Sequence, residues 1–243
     1  MPSFNESIQE FKKLKNESLK TKIEYIFTYY WIPLLIFTIL MIVLISQILH
    51  FTSKKETVLS GHCINAYYTD SQQYMTGFSE YCGIQTDSQQ VSVTTTSLST
   101  DDAYADYVSN QLITAKIASK SLDFLTGDSQ TLLQYAYQET FYDLNTILSA
   151  EQIQKLSDYF LYMDYTLVQQ TETSSDMITQ FPDPKSPDQM KMPIAFAIEI
   201  SDGSAFDQIY YPHTNDLCGI GIIVNSPNLQ NTICFIEYLC EIE

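Results

Sequence analysis

The chain has 243 residues, 17% charged and 45% hydrophobic, a composition that suits one folded domain with an appendage and excludes a disordered chain. Its formal net charge is −17, and all 12 basic residues are lysines. Without a single guanidinium to grip phosphate, and with so strong an acidic excess, nucleic acid is excluded as a partner.

The charge is unevenly spread. Residues 1–31 carry five lysines (Lys12, Lys13, Lys15, Lys20, Lys22) against four glutamates, while the chain from Lys54 onward carries seven lysines against 25 acids. Within residues 1–24, Phe4, Ile8, Phe11 and Leu14 recur at helical spacing among lysines. That stripe suits an amphipathic juxtamembrane segment on the inner leaflet, or a short helix that merely lengthens the next one.

From Ile26 to Leu49 the chain runs 24 residues without a charge. A bilayer core of roughly 30 Å takes about 20 apolar residues in a helix, so residues 25–50 are expected to span a membrane. Pro33 falls in the first turns, where a missing donor costs least. Tyr29, Tyr30 and Trp31 form an aromatic belt at one end, and Lys54 and Lys55 stop the other, so these five are the expected interface anchors. Five lysines before the span and two after it predict a cytoplasmic N-terminus and an extracellular C-terminal domain in a single-pass cell-membrane protein. A cleaved signal peptide fits less well, since the head exceeds 20 residues and no small-residue cleavage pattern is present after the apolar run.

Residues 51–57 read as a tether and 58–243 as one extracytoplasmic α/β domain. Val58–Tyr67 reads as a strand, Ser71–Tyr81 as a helix and Val91–Thr96 as a β-branched strand. Asp101 is placed to cap a helix whose inward stripe is Tyr104, Val108, Leu112, Ala115, Ala118 and Leu122. Leu122–Thr126 comes next as a short strand, and Gly127-Asp128-Ser129 turns into a helix carrying Leu132, Leu133 and Ala136. Ser149 to Gln152 has the form of a capping box, opening a helix with Ile153, Leu156 and Phe160 inward.

Residues 166–191 are polar with Pro182, Pro184 and Pro187, which reads as a loop. Met192–Ile200 resumes as an apolar strand, then a short helix around Ala205–Tyr210 and the strand Gly219–Val224. Ser226-Pro227 is placed to cap the last helix, with Leu229, Ile233, Ile236 and Cys240 as its stripe. Alternating strands and helices predict βαβ units and a sheet covered on both faces.

Several strings resemble extracellular solute-binding proteins of the periplasmic-binding-protein type. They are SKSLDFLTGDSQTLLQYAYQETFYDLNTIL, MPIAFAIEISDGSAFDQIY and CGIGIIVNSPNLQNTICFIEYL. The resemblance implies a single α/β lobe of that type, because the 26 residues Thr166–Lys191 are too few to hold a second. One lobe cannot enclose a small molecule as two do.

Catalytic chemistry finds no support in the pattern. His50, His62 and His213 are the only histidines, no G-x-S-x-G turn is present, and Gly219-Ile220-Gly221 is a lone G-x-G inside a strand, better explained by close packing. Asp101-Asp102 and Asp183/Asp188 lack the spacing of a calcium loop. Five cysteines (Cys63, Cys82, Cys218, Cys234, Cys240) form no C-x-x-C pair, so most read as small buried hydrophobes, with a Cys63–Cys82 disulfide as an option. No enzyme, cofactor or metal is expected.

Ligands of open α/β sheets meet the carboxyl ends of strands. That rule makes Thr126, Gly127, Asp128 and Ser129, with Ser201, Asp202 and Gly203, the candidate ligand contacts. Capping of their helices is the competing role for the same side chains. The expected partners are the lipid bilayer and a transporter or other envelope protein, for which this chain would be an accessory module. The alternative is a tethered receptor for a peptide or sugar.

Overall fold

The structure is a computed structural model, and it describes residues 18, 20, 23–24, 27–28, 31–52, 55–68, 72–98, 102–173, 181–200, 210–212 and 217–240. Two compact units divide the chain, residues 1–54 and 55–243.

In the first unit helix α1 covers Trp31–Thr52. Its Trp31–Ile48 stretch is long and apolar enough to cross a bilayer, a test that a signal sequence also passes. Thr38 returns its hydroxyl to the Leu34 carbonyl at 2.8 Å, so this polar side chain is satisfied within the helix. The inner stripe Phe4, Ile8, Phe11 and Leu14, like Tyr29, Tyr30 and Lys54, lies outside the described residues.

The second unit is built on a six-stranded sheet. Its strands are β1 (Glu56–Ile64), β3 (Gln89–Thr96), β4 (Phe124–Asp128), β5 (Phe160–Asp164), β6 (Pro193–Ile200) and β8 (Cys218–Ile222), in the spatial order β3-β1-β4-β8-β6-β5. A two-stranded ribbon pairs β2 (Ala66–Tyr68) with β7 (Tyr210–Pro212). Between the strands run α2 (Gln72–Tyr81), α3 (Ala103–Ala118), α4 (Ser129–Ala136), α5 (Leu144–Ile147), α6 (Ala150–Leu156), α7 (Tyr165–Thr173) and α8 (Leu229–Leu239).

β3, β1 and β4 are parallel, as βαβ crossovers require. Beyond β4 the pattern changes, because β8 pairs antiparallel with both β4 and β6, and β5 antiparallel with β6. The fold is therefore mixed α/β, and the simple alternation expected from the sequence holds for only half of the sheet.

Two apolar layers sandwich that sheet. On one face Leu59, Cys63 and Phe124 pack against Phe78 of α2 and Phe235 and Ile236 of α8. Phe235 stacks on Phe124 at 5.1 Å and meets Phe78 edge-on at 4.9 Å. On the other face Ile64, Leu125 and Phe196 pack against Ile113 of α3 and Leu132 and Leu133 of α4. In β8, a Cβ on Gly219 would lie 2.7 Å from Leu161 and one on Gly221 2.6 Å from the Phe141 ring, so the G-x-G lets side chains cross the strand closely.

Six local expectations need correction. The strand expected over Val58–Tyr67 is broken at Asn65, whose positive φ of 53° turns the chain into the ribbon. Asp102, not Asp101, caps α3, accepting from the Tyr104 and Ala105 N–H groups. Phe160 is not helical: α6 ends at Leu156, a 3-10 turn covers Ser157–Tyr159, and Phe160 opens β5.

The segment read as a loop from residue 166 begins inside α7, and its later part is tied to β5, with Pro184 accepting from the Tyr162 N–H at 2.8 Å. Tyr210 belongs to a strand, while the rest of the helix expected around Ala205–Tyr210 lies outside the described residues. Ser226 does not cap α8. Its hydroxyl instead donates to the buried Asp123 at 2.6 Å, and Asn228 holds the cap position.

Cysteine pairing also differs. Cys82 at the end of α2 is bonded to Cys234 in α8, across 152 residues, while Cys63 is a buried free thiol. Proximity in space decided this: α2 and α8 pack together through Phe78 and Tyr238, while Cys63 lies within β1 opposite Thr126.

Candidate functional site

The carboxyl ends of the three parallel strands form one edge of the sheet. β4 reaches it at Thr126, Gly127 and Asp128, two residues later than the sequence pattern placed the strand. Thr126 is buried opposite Cys63 of β1, with which it shares a side-chain hydrogen bond. Burial is the larger influence on that thiol and pushes Cys63 up to about 12, leaving it protonated and unreactive. Gly127 packs flat, since a Cβ there would touch the Ile64 side chain at 3.4 Å.

Asp128 turns both carboxylate oxygens inward on its own helix, one accepting from the Thr131 N–H at 2.8 Å and the other from the Thr131 hydroxyl at 2.7 Å. The Ser129 N–H donates to the Leu217 carbonyl at 2.7 Å. These groups act as a helix cap and a loop tie. Asn65, which sequence reasoning passed over, stands at the same edge and accepts from the Leu98 N–H at 2.7 Å. Its only signal was an asparagine inside the run read as a single strand, a residue type that favours turns. Ser201, Asp202 and Gly203 lie outside the described residues. Among the described residues no group of histidines, cysteines and acids is arranged to hold a metal.

Of the expected membrane anchors, Trp31 lies in α1 and is exposed. Lys55 begins the second unit, and its ammonium donates to the Thr86 carbonyl. A surface depression of about 200 Å³ lies nearby, lined by Thr76, Ser79, Ile84, Thr86, Gln89, Gln90 and Val91. It adjoins the start of β3 and so belongs to the edge opposite Asp128.

The larger surprise is α3. Over the length of the helix the stripe expected to face the core faces outward instead: Tyr104 is 77% exposed, Val108 47% and Leu112 50%, with Tyr107 beside them at 61%, and of the expected stripe only Leu122, beyond the end of α3, is buried. Gln111, Ala115 and Ala118 share that exposed side. Ile113 is the only buried residue of the helix.

Polar ties hold the inner side of α3. Tyr135 donates to Asn110 at 2.8 Å, Lys116 donates to Thr94 at 3.3 Å, and Asn225 donates to the Ile117 carbonyl at 2.8 Å. A helix on a globular domain ordinarily shows charge to water and apolar groups to the core. Here the two charged side chains of the helix, Asp106 and Lys116, are half-buried, and the outward face is wholly uncharged. Sequence periodicity found the stripe but had no means to tell which way it points.

His62 completes the interior beneath α3. It is 1% exposed, and its Nδ1 lies 2.8 Å from the Thr94 hydroxyl, which also accepts from Lys116. Burial first, and the Lys116 charge second, push its pKa down to about 4, so the imidazole is neutral at physiological pH. It is a core residue. No known protein family, curated protein or solved structure matches the chain.

Proposed function

We propose that this is a single-pass membrane-anchored protein whose α/β domain stands outside the cytoplasm and works by contact with other proteins, as an accessory module of the cell envelope. The observation that carries the reading is the outward face of α3, where Tyr104, Tyr107, Val108 and Leu112 lie exposed with no charge among them on a domain rich in acids. Contiguous apolar surface of that kind is costly in water and marks a place where another molecule sits.

Two further features support it. A Cys82–Cys234 bond suits an oxidising compartment, and the lysine bias about α1 suits a domain outside the cytoplasm, so both support the reading. At the sheet edge where a small ligand would be sought, Asp128 and Ser129 are engaged by their own chain, which favours surface contact over enclosure. The resemblance to solute-binding proteins enters the proposal only as a single lobe without the clamp.

The test is made in intact membranes. A photo-crosslinking side chain at Val108 should give discrete adducts on illumination, and one at Glu151, exposed on α6, should not. Protease added outside should remove the domain while sparing the lysine-rich N-terminal segment. Illumination that yields no adduct at residue 108, or a domain resistant to external protease but cleaved after lysis, would sink the proposal.

A further inference from the structure

We infer that the exposed face of α3 pairs with the same face of a second copy, in an antiparallel helix pair about a two-fold axis near residue 110. This rests on the reading of that face as an interaction surface and names its occupant.

Shape is the first ground for a second copy. Along the face the side chains grade from large to small: Tyr104, Tyr107 and Val108 towards the N-terminal end, Ala115 and Ala118 towards the other. Self-pairing about a two-fold axis sets position i against position j and j against i. With the axis near residue 110, Tyr104 of one copy lies over Ala115 of the other, and Val108 meets Leu112. Bulky residues then fall on small ones twice over, the condition for two helices to approach closely.

Charge points the same way. The two copies are strongly acidic and repel, so a self-contact must avoid placing acids together. The face has none. The helix itself carries opposite signs at its two ends, with Asp102 at the N-cap and Lys120 just past the C-terminal turn, both exposed. An antiparallel pair brings Asp102 of each copy within reach of Lys120 of the other, whereas a parallel pair would set Asp102 against Asp102.

One helix face is smaller than the roughly 800 Å² per partner of a standard stable interface. The pairing is therefore reversible, and it draws on confinement in a membrane, which raises the effective concentration of one copy about another.

The experiment uses the full chain in its membrane, with Cys240→Ser to remove the exposed native thiol; Cys63 and Cys218 are buried and Cys82 and Cys234 are bonded. In that background Gln111→Cys, next to the axis, should form a crosslinked dimer with a short bismaleimide. Glu151→Cys should give at least tenfold less. Adding Leu112→Asp to Gln111→Cys should lower the yield at least tenfold, with the thermal midpoint confirming that the domain is still folded.

Equal crosslinking at residues 111 and 151, or a yield that Leu112→Asp leaves intact in a folded domain, overturns the inference. The result for Gln111→Cys alone decides should Leu112→Asp fail to fold. Adducts from residue 108 that contain only a different protein, with no dimer from residue 111, also overturn it while leaving the proposed function standing.

Discussion

Asp123 is fully buried, and four donors converge on its carboxylate: the Ser60 and Asn228 N–H groups, the Ser226 hydroxyl and the Asn228 side-chain amide, at 2.6 to 3.1 Å. Its own backbone joins β1 through Ser60 and receives the Ile223 N–H. One side chain thus ties the start of β4 to β1 and to the loop before α8. Asp123→Ala would take the shared acceptor from all four donors at once, and we expect a loss of about 3 kcal/mol or more in urea unfolding.

His62 makes a prediction of opposite character, since it titrates. Its folded pKa of about 4 lies below the ordinary 6.5, so between those values the unfolded chain binds a proton that the folded chain refuses. Its contribution is whole above pH 6.5 and is lost as pH falls towards 4, amounting to at most about 3 kcal/mol. Urea midpoints measured across that window should fall with pH, and a His62→Gln variant should show a flatter profile.

Asp164 enters only in stronger acid. Burial alone would raise its pKa, but the Lys191, Thr166 and Met192 N–H groups and the Thr166 hydroxyl hold it below the usual 3.8. Its share of stability is lost as pH drops beneath that value.

Among the elements, α6 is the one whose start was written most plainly. Ser149 accepts from the Gln152 N–H at 3.3 Å while the Gln152 side chain accepts from the Ser149 N–H at 2.7 Å, a reciprocal cap. Ser149→Ala should cost about 1 kcal/mol in thermal unfolding without altering the fold. Caps of this kind are legible because all the partners lie within four residues. The same holds for α1, whose uncharged run needs no neighbour to declare itself, and for the cap of α4 at Asp128.

What escaped was non-local. β5 was hidden because Phe160 continues the helical spacing of Ile153 and Leu156, and only its pairing with Ile198 makes it a strand. The reversal of β8 depends on which neighbours it finds, which no alternation of strands and helices records. For α3 the outward stripe and the inner ties through Asn110, Lys116 and Ile117 could be weighed only once the sheet beneath was known. At the candidate edge, the side chains of β4 were found, but the engagement of Ser129 by Leu217 was not.

For the molecule as a whole, the bond between Cys82 and Cys234 joins the first helix of the domain to its last. Closing a loop of this length restricts the unfolded chain, and reduction should cost about 2–4 kcal/mol, seen as a lower thermal midpoint for the intact protein in reductant than in air. An unchanged midpoint, with loss of the bond verified by mass, would contradict this. The same linkage bears on how the chain matures. If the domain crosses the membrane from its anchored end, Cys63 and Cys82 arrive together, long before the proper mate of Cys82. Closing a short loop costs less entropy than closing a long one, so the early encounter favours the wrong couple. Correct oxidation then depends on Cys63 being sealed within β1 beside Thr126, or on a thiol exchange that undoes the error, and a cell lacking disulfide isomerase should accumulate a mispaired form that runs apart on a non-reducing gel.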